Sequence, residues 1–446
     1  MKVLDDRKFL VGFAVLVLFT GLAADAWRNS ISWYGYGALV AAITGTSIAV
    51  LVRHRHSIRT RALPRPLLAF LALASISITW SFYPAESAVG VSAQLITTVA
   101  ALAVALVLRA DELLRALARA LRIILSLSLA FELVVALLVR APVLPVWVTE
   151  EDRVDPPLLL FWSRNLLLEG DRIQGVVGSS SLLAMVALLA LVVFGVQSAA
   201  GAVGRAPGVL WLMFAGAMVA LTRSATIYVA IAAVVTVLAI ILVMRRASTL
   251  RARVSTYTAV ALTVVAIIVA ATLFRGQALA LLGKSEDLTG RLGIWEAVLG
   301  LVQQRPLFGW GWISFWAPWV DPFRDLVTRN GVVQLHAHNA WLDVWLQLGL
   351  VGLFVLAALI AVTAVRSWRL ATTSGRLHPS SPDSATSLLA PLLLTALLVQ
   401  SFAESRLLIE GGWVLLVILA VTAKVATSDR RSAAGPIRRA REPSAP

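Results

Sequence analysis

The chain contains no cysteine and few charged residues. Only 14% of its 446 residues are charged, and the mean hydropathy is +0.84. The absence of cysteine excludes disulfide bonds, thiolate nucleophiles and thiolate metal sites. Soluble domains usually carry about 25% charged residues, so the low value excludes an ordinary soluble protein. With 59% hydrophobic residues, the composition predicts an all-α protein that crosses a membrane many times.

Negative charge is also scarce. The chain has 39 Lys and Arg against 24 Asp and Glu, a formal net charge of +15. Such an excess can indicate nucleic-acid binding, but no basic domain with interleaved aromatic residues is present. We therefore expect no nucleic-acid partner. The positive charge instead fits the cytoplasmic loops of a membrane protein, where Lys and Arg accumulate.

Apolar runs of about 17–25 residues have the length of a transmembrane helix. Twelve such runs lie at 9–26, 33–52, 66–83, 91–108, 120–139, 176–195, 207–222, 225–244, 256–274, 340–365, 387–403 and 411–427. We expect helices 1–9 within residues 1–274, an extracytoplasmic catalytic loop at 275–339, helices 10–12 within 340–427 and a disordered basic cytoplasmic tail at 428–446. The first run also has features of a signal peptide, but its length and the spans after it favour a membrane helix.

The arginines predict the orientation. Clusters occupy four loops and the tail, at 53–65, 109–122, 245–253, 366–376 and 424–441. All five clusters lie on one side if both termini are cytoplasmic, as the positive-inside rule requires. We therefore predict a multi-pass protein of the cytoplasmic (inner) membrane with its large polar loop outside.

Residues 289–353 mix charge, glycine, tryptophan and histidine in a way that the other segments do not. Arg291 to Gln304 has helical spacing, with an apolar stripe at Leu292, Trp295, Leu299 and Val302. Arg291 then lies in the first turn, where its guanidinium and the free N–H groups favour an anion. Alternatively, this is an interfacial helix whose arginine meets lipid phosphate or Glu296.

His336, His338 and Asn339 stand at the start of the next span. A histidine there can act as a general base, because its pKa lies near working pH; a hydrogen-bonded interfacial histidine is the alternative. A metal site is not expected, because no third ligand is obvious.

Two further outer stretches carry arginine. Arg172 lies in the segment 171–175 and Arg223 in the tight turn 222–226. Both meet the same membrane face as the large loop, so they can converge with it. Glu132 lies inside a span, where an acid has either a functional role or a structural polar contact.

One set of residues has a specific pattern: Thr289-Gly290-Arg291, Trp295, Pro306, Gly309, Gly311, His338-Asn339, Gly349 and Gly352. It resembles the signature G-R-x-x-x-W, P-x-x-G-x-G, H-N and G-x-x-G of the O-antigen ligase and O-antigen polymerase family. Arg172 with Gly175, and Glu404 with Trp413, resemble further elements of that family. The chain departs from the pattern at the 222–226 turn, where the arginine precedes Ser224, and at 179–181, where Ser-Ser-Ser replaces a common Pro-Asn.

The resemblance implies a GT-C type membrane glycosyltransferase without a metal ion or cofactor. Such enzymes take a glycan from undecaprenyl pyrophosphate and pass it to an acceptor hydroxyl at the outer face of the cytoplasmic membrane. By resemblance, His338 activates the acceptor and Arg291 holds diphosphate. Arg172 and Arg223 would add to diphosphate binding, and the supporting residues would be His336, Asn339, Gly290 and Trp295.

Three functions remain open at this point. A ligase, slightly favoured, moves a finished polysaccharide onto a glycan, lipid or wall acceptor. A polymerase of the same family extends the glycan instead. A polysaccharide or lipid transporter without chemistry would need polar groups along a path through the membrane centre. Few charged groups lie within the predicted spans, which favours an enzyme.

Overall fold

The computed structural model describes residues 2–56, 63–273, 291–329, 331–377 and 382–439. Its α-helices are α1 Arg7–Leu22, α2 Ala24–Arg53, α3 Arg65–Ile76, α4 Pro84–Val107, α5 Ala110–Val134, α6 Ser180–Ala199, α7 Arg205–Thr222, α8 Ala225–Arg246, α9 Leu250–Leu273, α10 Arg291–Gln304, α11 Ala340–Leu377, α12 Pro382–Thr386, α13 Leu389–Ser401 and α14 Glu410–Arg439. Short 3-10 turns lie at Ser77–Trp80 and Ser405–Leu408, and two-residue strands β1 (Thr328–Arg329) and β2 (Val332–Val333) pair antiparallel. The protein is thus an all-α polytopic membrane protein.

Nine helical segments in the described residues are long and apolar enough to cross a membrane. They are Ala24–Arg53, Pro84–Val107, Ala110–Val139, Ser180–Ala199, Arg205–Thr222, Ala225–Arg246, Ala340–Ser374, Asp383–Ser401 and Glu410–Asp429. Each of the twelve apolar runs overlaps a helix, but α1 has only 16 residues and Arg65–Trp80 is a shorter apolar helix. The count of twelve therefore stays a prediction. Helix α14 continues to Arg439, beyond residue 428 where the sequence predicts a disordered tail.

Successive turns between the helices lie alternately at the two ends of the bundle. At one end, which we call the arginine-rich end, Arg53 pairs with Asp5, Arg7 pairs with Glu112, and Arg245 binds the backbone of Ala371 and Ser384. The turns that carry most arginines therefore meet there.

The opposite end, which we call the site end, holds the loops between the other helix termini. Arg28 at the start of α2 pairs with Glu410 at the start of α14. The loops 140–179 and 305–339 lie at this end, the first bound to the α2 segment by the Val146 N–H to the Asn29 carbonyl at 3.1 Å.

The glycine-containing segment after α10 packs closely against a second glycine-containing segment within α11. The N–H groups of Trp310 and Gly311 donate to the carbonyls of Leu346 and Gln347, and Leu350 donates to Pro306. Gly349 has φ of 66° and breaks the regular helix there. A side chain on Gly349 would collide with the Leu307 carbonyl, and one on Gly309 with Gln347. The P-x-x-G-x-G and G-x-x-G elements therefore allow one close backbone contact.

Helix α10 packs on the loop that holds Trp316 and Phe323 through a stripe that overlaps only in part the apolar stripe of its sequence. Its buried residues are Ile294, Val298 and Val302, which join a small core with Trp316, Phe323, Ala337 and Leu346. Leu292 and Leu299 are each 37% exposed, whereas Val302 of the same sequence stripe is 2% exposed. The helix carries two adjacent apolar stripes, and only its contact with the loop and α11 selects the inner one. Thr289, the predicted N-cap, lies outside the described residues.

Candidate active site

The carboxylate of Glu404 joins the two motifs that the sequence predicts as functional. Its Oε1 accepts a hydrogen bond from Arg291 Nη2 at 3.0 Å, and its Oε2 lies 3.0 Å from His338 Nδ1. Arg291 begins α10, His338 precedes α11, and Glu404 precedes the Ser405–Leu408 turn. The three side chains are 17%, 21% and 12% exposed. The predicted convergence of Arg291 and His338 is thus present in the structure.

Glu404 remains ionised in this environment. Burial alone raises the pKa of its carboxyl group, but the hydrogen bond from His338 and the proximity of His338, His336 and Arg291 outweigh burial and lower the pKa to about 2. A carboxylate that accepts charge-assisted hydrogen bonds favours the charged form. Glu404 therefore holds both partners as an anion at any physiological pH.

His338 has an unusual backbone conformation. Its φ is 50°, in the left-handed region, which costs a non-glycine residue on the order of 1–3 kcal/mol. Its ring nitrogens both face oxygen atoms, because Nε2 lies 3.2 Å from Gln334 Oε1. This arrangement suits an imidazole that accepts a proton, since both N–H groups then have acceptors.

His336 supports the histidine after it. Its Nδ1 accepts the backbone N–H of His338 at 3.1 Å, and the two ring centroids are 4.1 Å apart. Burial, together with the neighbouring His338, lowers the pKa of His336 to about 3. A neutral imidazole with so low a pKa is a poor base at neutral pH, so His338 is the stronger candidate for proton transfer.

Asn339 and Trp295 have structural partners. The Asn339 Oδ1 accepts the N–H groups of Trp341 at 3.0 Å and Leu342 at 3.3 Å, so Asn339 caps the N-terminus of α11. The Trp295 indole donates to the Ala337 carbonyl at 3.0 Å. Residues four apart share a helix face, so the G-R-x-x-x-W spacing lets α10 hold Glu404 and the histidine loop together. Gly290 lies outside the described residues.

The two further arginines lie at neighbouring loops of the site end. Arg172 Nε donates to the Thr222 carbonyl at 3.3 Å, beside Arg223. Burial lowers the pKa of Arg172; Asp171 opposes this, while Arg164 and Arg291 lower it further, which places Arg172 within the field of Arg291. Arg223 is exposed and ends α7 with φ of 45°.

Arg172 and Arg223 have no acidic partner in the described part of the chain, since neither appears among its ion pairs. Asp171 forms no ion pair with Arg172 but opposes the lowering of its pKa, so the positive charge of Arg172 is offset only in part.

A small cavity lies beside Glu404 at the start of α8. Its polar lining consists of Ser181, Ser224, Thr226, Gln400 and Glu404. Ser224 is the N-cap residue of α8, yet its side chain makes no capping hydrogen bond. The unpaired N–H groups and the dipole of a helix N-terminus favour an anion. Three hydroxyl groups thus share this cavity lining with the Glu404 carboxylate, to which Arg291 is bound.

The structure supplies the third potential metal ligand that the sequence did not reveal. One ligand atom each from His336, His338 and Glu404 lie within 4.8 Å of one another. However, Arg291 and His338 occupy both oxygens of Glu404, and His336 Nδ1 binds a backbone N–H. A cation would also meet the positive charge of Arg291. The donor set thus fits hydrogen bonding better than metal coordination.

Glu132 has a structural role. It accepts hydrogen bonds from Ser163 Oγ at 2.9 Å and from the N–H groups of Gln174 at 2.9 Å and Gly175 at 2.7 Å. Of the two alternatives for this acid, the structure selects the polar contact. Glu132 anchors the segment that carries Arg172.

Glu404 is the functional candidate that residue-by-residue reasoning missed. Only the resemblance singled it out, as part of a last-span pair with Trp413. A weak signal was present, because Glu404 is one of two acids in the turn between the last two predicted spans, at residues 404 and 410. Its partners lie 66 and 113 residues away in sequence, so no local pattern reveals them.

Comparison with known families gives one match. Residues 208–357 match the family model described as O-antigen ligase, a family of glycosyltransferase-like membrane enzymes. A search of curated proteins finds no match. The matched segment is about a third of the chain and includes Arg223, Arg291 and His338. It thereby confirms the resemblance to the O-antigen ligase family that was drawn from the G-R and H-N motifs.

Proposed function

We propose that the protein transfers a glycan from undecaprenyl pyrophosphate to an acceptor hydroxyl at the outer face of the cytoplasmic membrane. The observation that carries this proposal is the Glu404 carboxylate, which holds Arg291 and His338 on its two oxygens. A cation for the leaving group and a base for the nucleophile are the two groups that such a transfer needs.

The diphosphate of the donor would bind among the arginines. Arg291 binds the Glu404 carboxylate, and Arg172 and Arg223 form no ion pair in the described residues, so the local excess of positive charge suits an anion. Ser224 and Thr226 at the N-terminus of α8 supply further hydrogen-bond donors. Guanidinium groups neutralise the developing charge on the leaving oxygen, which supports a reaction without a metal ion.

His338 would act as the general base. Glu404 holds the Nδ1–H tautomer, so that Nε2 can take the proton of the acceptor hydroxyl. The hydroxyl oxygen then bonds to the anomeric carbon as the bond to the diphosphate breaks. The diphosphate leaves as an anion and needs no proton, so one base and several cations balance the step.

A purified-protein assay tests this chemistry. Radiolabelled lipid-linked glycan and an acceptor are incubated with the protein, and the transferred label is counted. We expect transfer to continue within about twofold in excess EDTA, because guanidiniums do the work of a metal. Loss of transfer on chelation, restored by a divalent cation, would replace this mechanism with a metal-dependent one at His336, His338 and Glu404.

The orientation has its own test. We propose that the arginine-rich end faces the cytoplasm, in line with the positive-inside rule, so that Glu404 and His338 lie outside. The absence of cysteine permits clean single-cysteine labelling. In intact cells, a membrane-impermeant maleimide should label Arg324→Cys in the site-end loop but not Arg55→Cys at the arginine-rich end. The reverse pattern would place the site in the cytoplasm.

Analysis of surface glycans in a deletion strain separates the remaining functions. We favour the ligase, and long chains retained on the lipid carrier without attachment would support it. Single repeat units left on the carrier would instead identify a polymerase. Unchanged glycan chemistry with material trapped inside the cell would indicate a transporter. The polar groups described above gather at one end of the bundle, which favours the two enzymes.

A further inference from the structure

We propose that Asp343 and Ser405 are positioning residues that clamp the backbone on both sides of His338. The clamp deepens the proposed function and depends on it, because it matters for transfer only if His338 is the base. Asp343 lies in the first turn of α11, and Ser405 follows Glu404 in the chain. Both are buried, with 1% and 4% exposure.

Three consecutive N–H groups in the histidine loop donate to side chains. The Ala337 N–H donates to Asp343 Oδ2 at 3.1 Å, the His338 N–H to His336 Nδ1 at 3.1 Å, and the Asn339 N–H to Ser405 Oγ at 3.2 Å. The Ser405 hydroxyl in turn donates to Asp343 Oδ2. Asp343 and Ser405 therefore hold the peptides before and after His338 as one connected unit.

This arrangement explains how His338 keeps a left-handed backbone. A residue with φ of 50° persists in that conformation only when its surroundings hold it there. The two consecutive residues Glu404 and Ser405 divide the task, since Glu404 binds the ring and Ser405 binds the backbone. The ring and the backbone of His338 are thus positioned by consecutive residues of one turn. A general base requires such precise positioning.

Ser405→Ala tests the clamp. It removes the acceptor of the Asn339 N–H and the donor to Asp343. We expect kcat to fall about tenfold, since small misplacements of a catalytic group reduce rates by up to about a hundredfold, while KM for the lipid-linked donor stays within about twofold. Ser405→Thr keeps the hydroxyl and should restore most of kcat. Asp343→Asn keeps an acceptor oxygen and should retain more activity than Asp343→Leu.

Ser401→Ala is the matched control. Ser401 is also fully buried, and its hydroxyl accepts the Trp341 indole N–H of α11 at 3.0 Å, away from the histidine loop. Its kcat should stay within about twofold of the parent. Equal losses in Ser401→Ala and Ser405→Ala would overturn the proposal, because the effect would then be one of general packing. Additive losses for Ser405→Ala and Asp343→Leu would also overturn it, because a single unit gives non-additive effects.

A measurement without substrate separates the clamp from the proposed function. Diethylpyrocarbonate modifies accessible neutral imidazoles, and peptide mass spectrometry follows His338 alone. The His338 side chain is 21% exposed, and a released loop should raise its modification rate several-fold in Ser405→Ala but not in Ser401→Ala. An unchanged rate would overturn the clamp. A parent protein that transfers no glycan would instead overturn the proposed function, and the labelling result would still decide the clamp.

Discussion

Two glutamates flank the same short 3-10 turn, and each bridges two basic groups. Glu404 binds Arg291 and His338, both at 3.0 Å. Glu410 binds Arg28 at 2.8 Å and Arg406 at 2.5 Å. Both carboxylates are largely buried, with exposures of 12% and 13%. By contact geometry alone the two networks are equivalent.

Charge balance separates them. In the Glu410 network, Asp25 also pairs with Arg28 at 2.6 Å and lies 3.8 Å from Arg406, so two acids match two arginines. In the Glu404 network, one carboxylate serves Arg291 and His338, and Arg172, which is within the field of Arg291, forms no ion pair in the described residues and is offset only in part by Asp171. A neutral network stabilises the fold, whereas an excess of one charge is suited to a ligand of opposite charge.

The strongest test breaks the Glu404 network at its chemical groups. We expect His338→Ala and Arg291→Ala each to reduce glycan transfer by about 10³-fold or more, the range for a general base or a charge-stabilising donor. Transfer of radiolabelled lipid-linked glycan by purified protein is the measurement. His54→Ala, at the arginine-rich end, is the control and should retain full activity. Normal turnover in either site variant would contradict the assignment.

Replacing each glutamate by glutamine should produce different defects: mainly lost activity at position 404 and mainly lost stability at position 410. Glu404→Gln should lower transfer about 10²-fold, because His338 and Arg291 lose their shared anion; it should cost less stability than Glu410→Gln, because Arg291 and His338 are 17% and 21% exposed against 7% for Arg28. Glu410→Gln leaves Arg28 and Arg406 short of one negative charge, and breaking a buried pair costs about 3–5 kcal/mol. Thermal unfolding in detergent and activity per folded molecule distinguish the two. Similar defects in both variants would remove the distinction between the networks.

Acid should lower the stability of the folded protein through His336, the histidine that supports the Glu404 network. Burial holds the pKa of His336 at about 3, below the ordinary value of about 6.5. The folded state therefore keeps the ring neutral while the unfolded chain takes up a proton, so stability is complete above about pH 6.5 and declines as the pH falls towards 3. The loss is about 2 kcal/mol at pH 5.

His336→Gln removes this titration, so its unfolding temperature should depend less on pH between 7 and 5 than that of the parent. His56→Gln, at an exposed position of the arginine-rich end, is the control and should follow the parent. An unaltered pH dependence in His336→Gln would show that this ring does not titrate on unfolding in that range. The Glu410 network of Asp25, Arg28, Arg406 and Glu410 contains no histidine. Of the two networks, only the one at Glu404 should therefore lose stability by histidine protonation between pH 7 and 5.

The smallest effect should come from Arg223. This arginine is exposed and has no acidic partner among the described residues, so Arg223→Ala should leave thermal stability unchanged and raise KM for the donor about tenfold, as for one charge-assisted hydrogen bond. Arg324→Ala, at an exposed position of the site end, is the control and should change neither quantity. A stability loss without a change in KM would show that Arg223 has a structural role, as Arg28 has in the Glu410 network.

Much of this molecule follows from local patterns. The apolar runs predicted where helices lie, since a span must satisfy its backbone internally and needs about 20 apolar residues. The Arg291 helix and its end near Gln304 also followed from spacing and from Pro306. The inner stripe of that helix did not, because two apolar stripes lie side by side and only packing decides between them.

The sequence by itself predicted the helical bundle and the arginine-rich turns, and it singled out Arg291 and His338 as functional candidates. Hydrophobic runs and motifs can be read in this way because they are properties of neighbouring positions. Tertiary structure alone decided that Glu404 joins those two residues, that Asn339 caps a helix and that Asp343 and Ser405 bind the loop around His338. Such contacts connect segments that are distant in sequence, so they depend on which helices pack together and not on the pattern of any one of them.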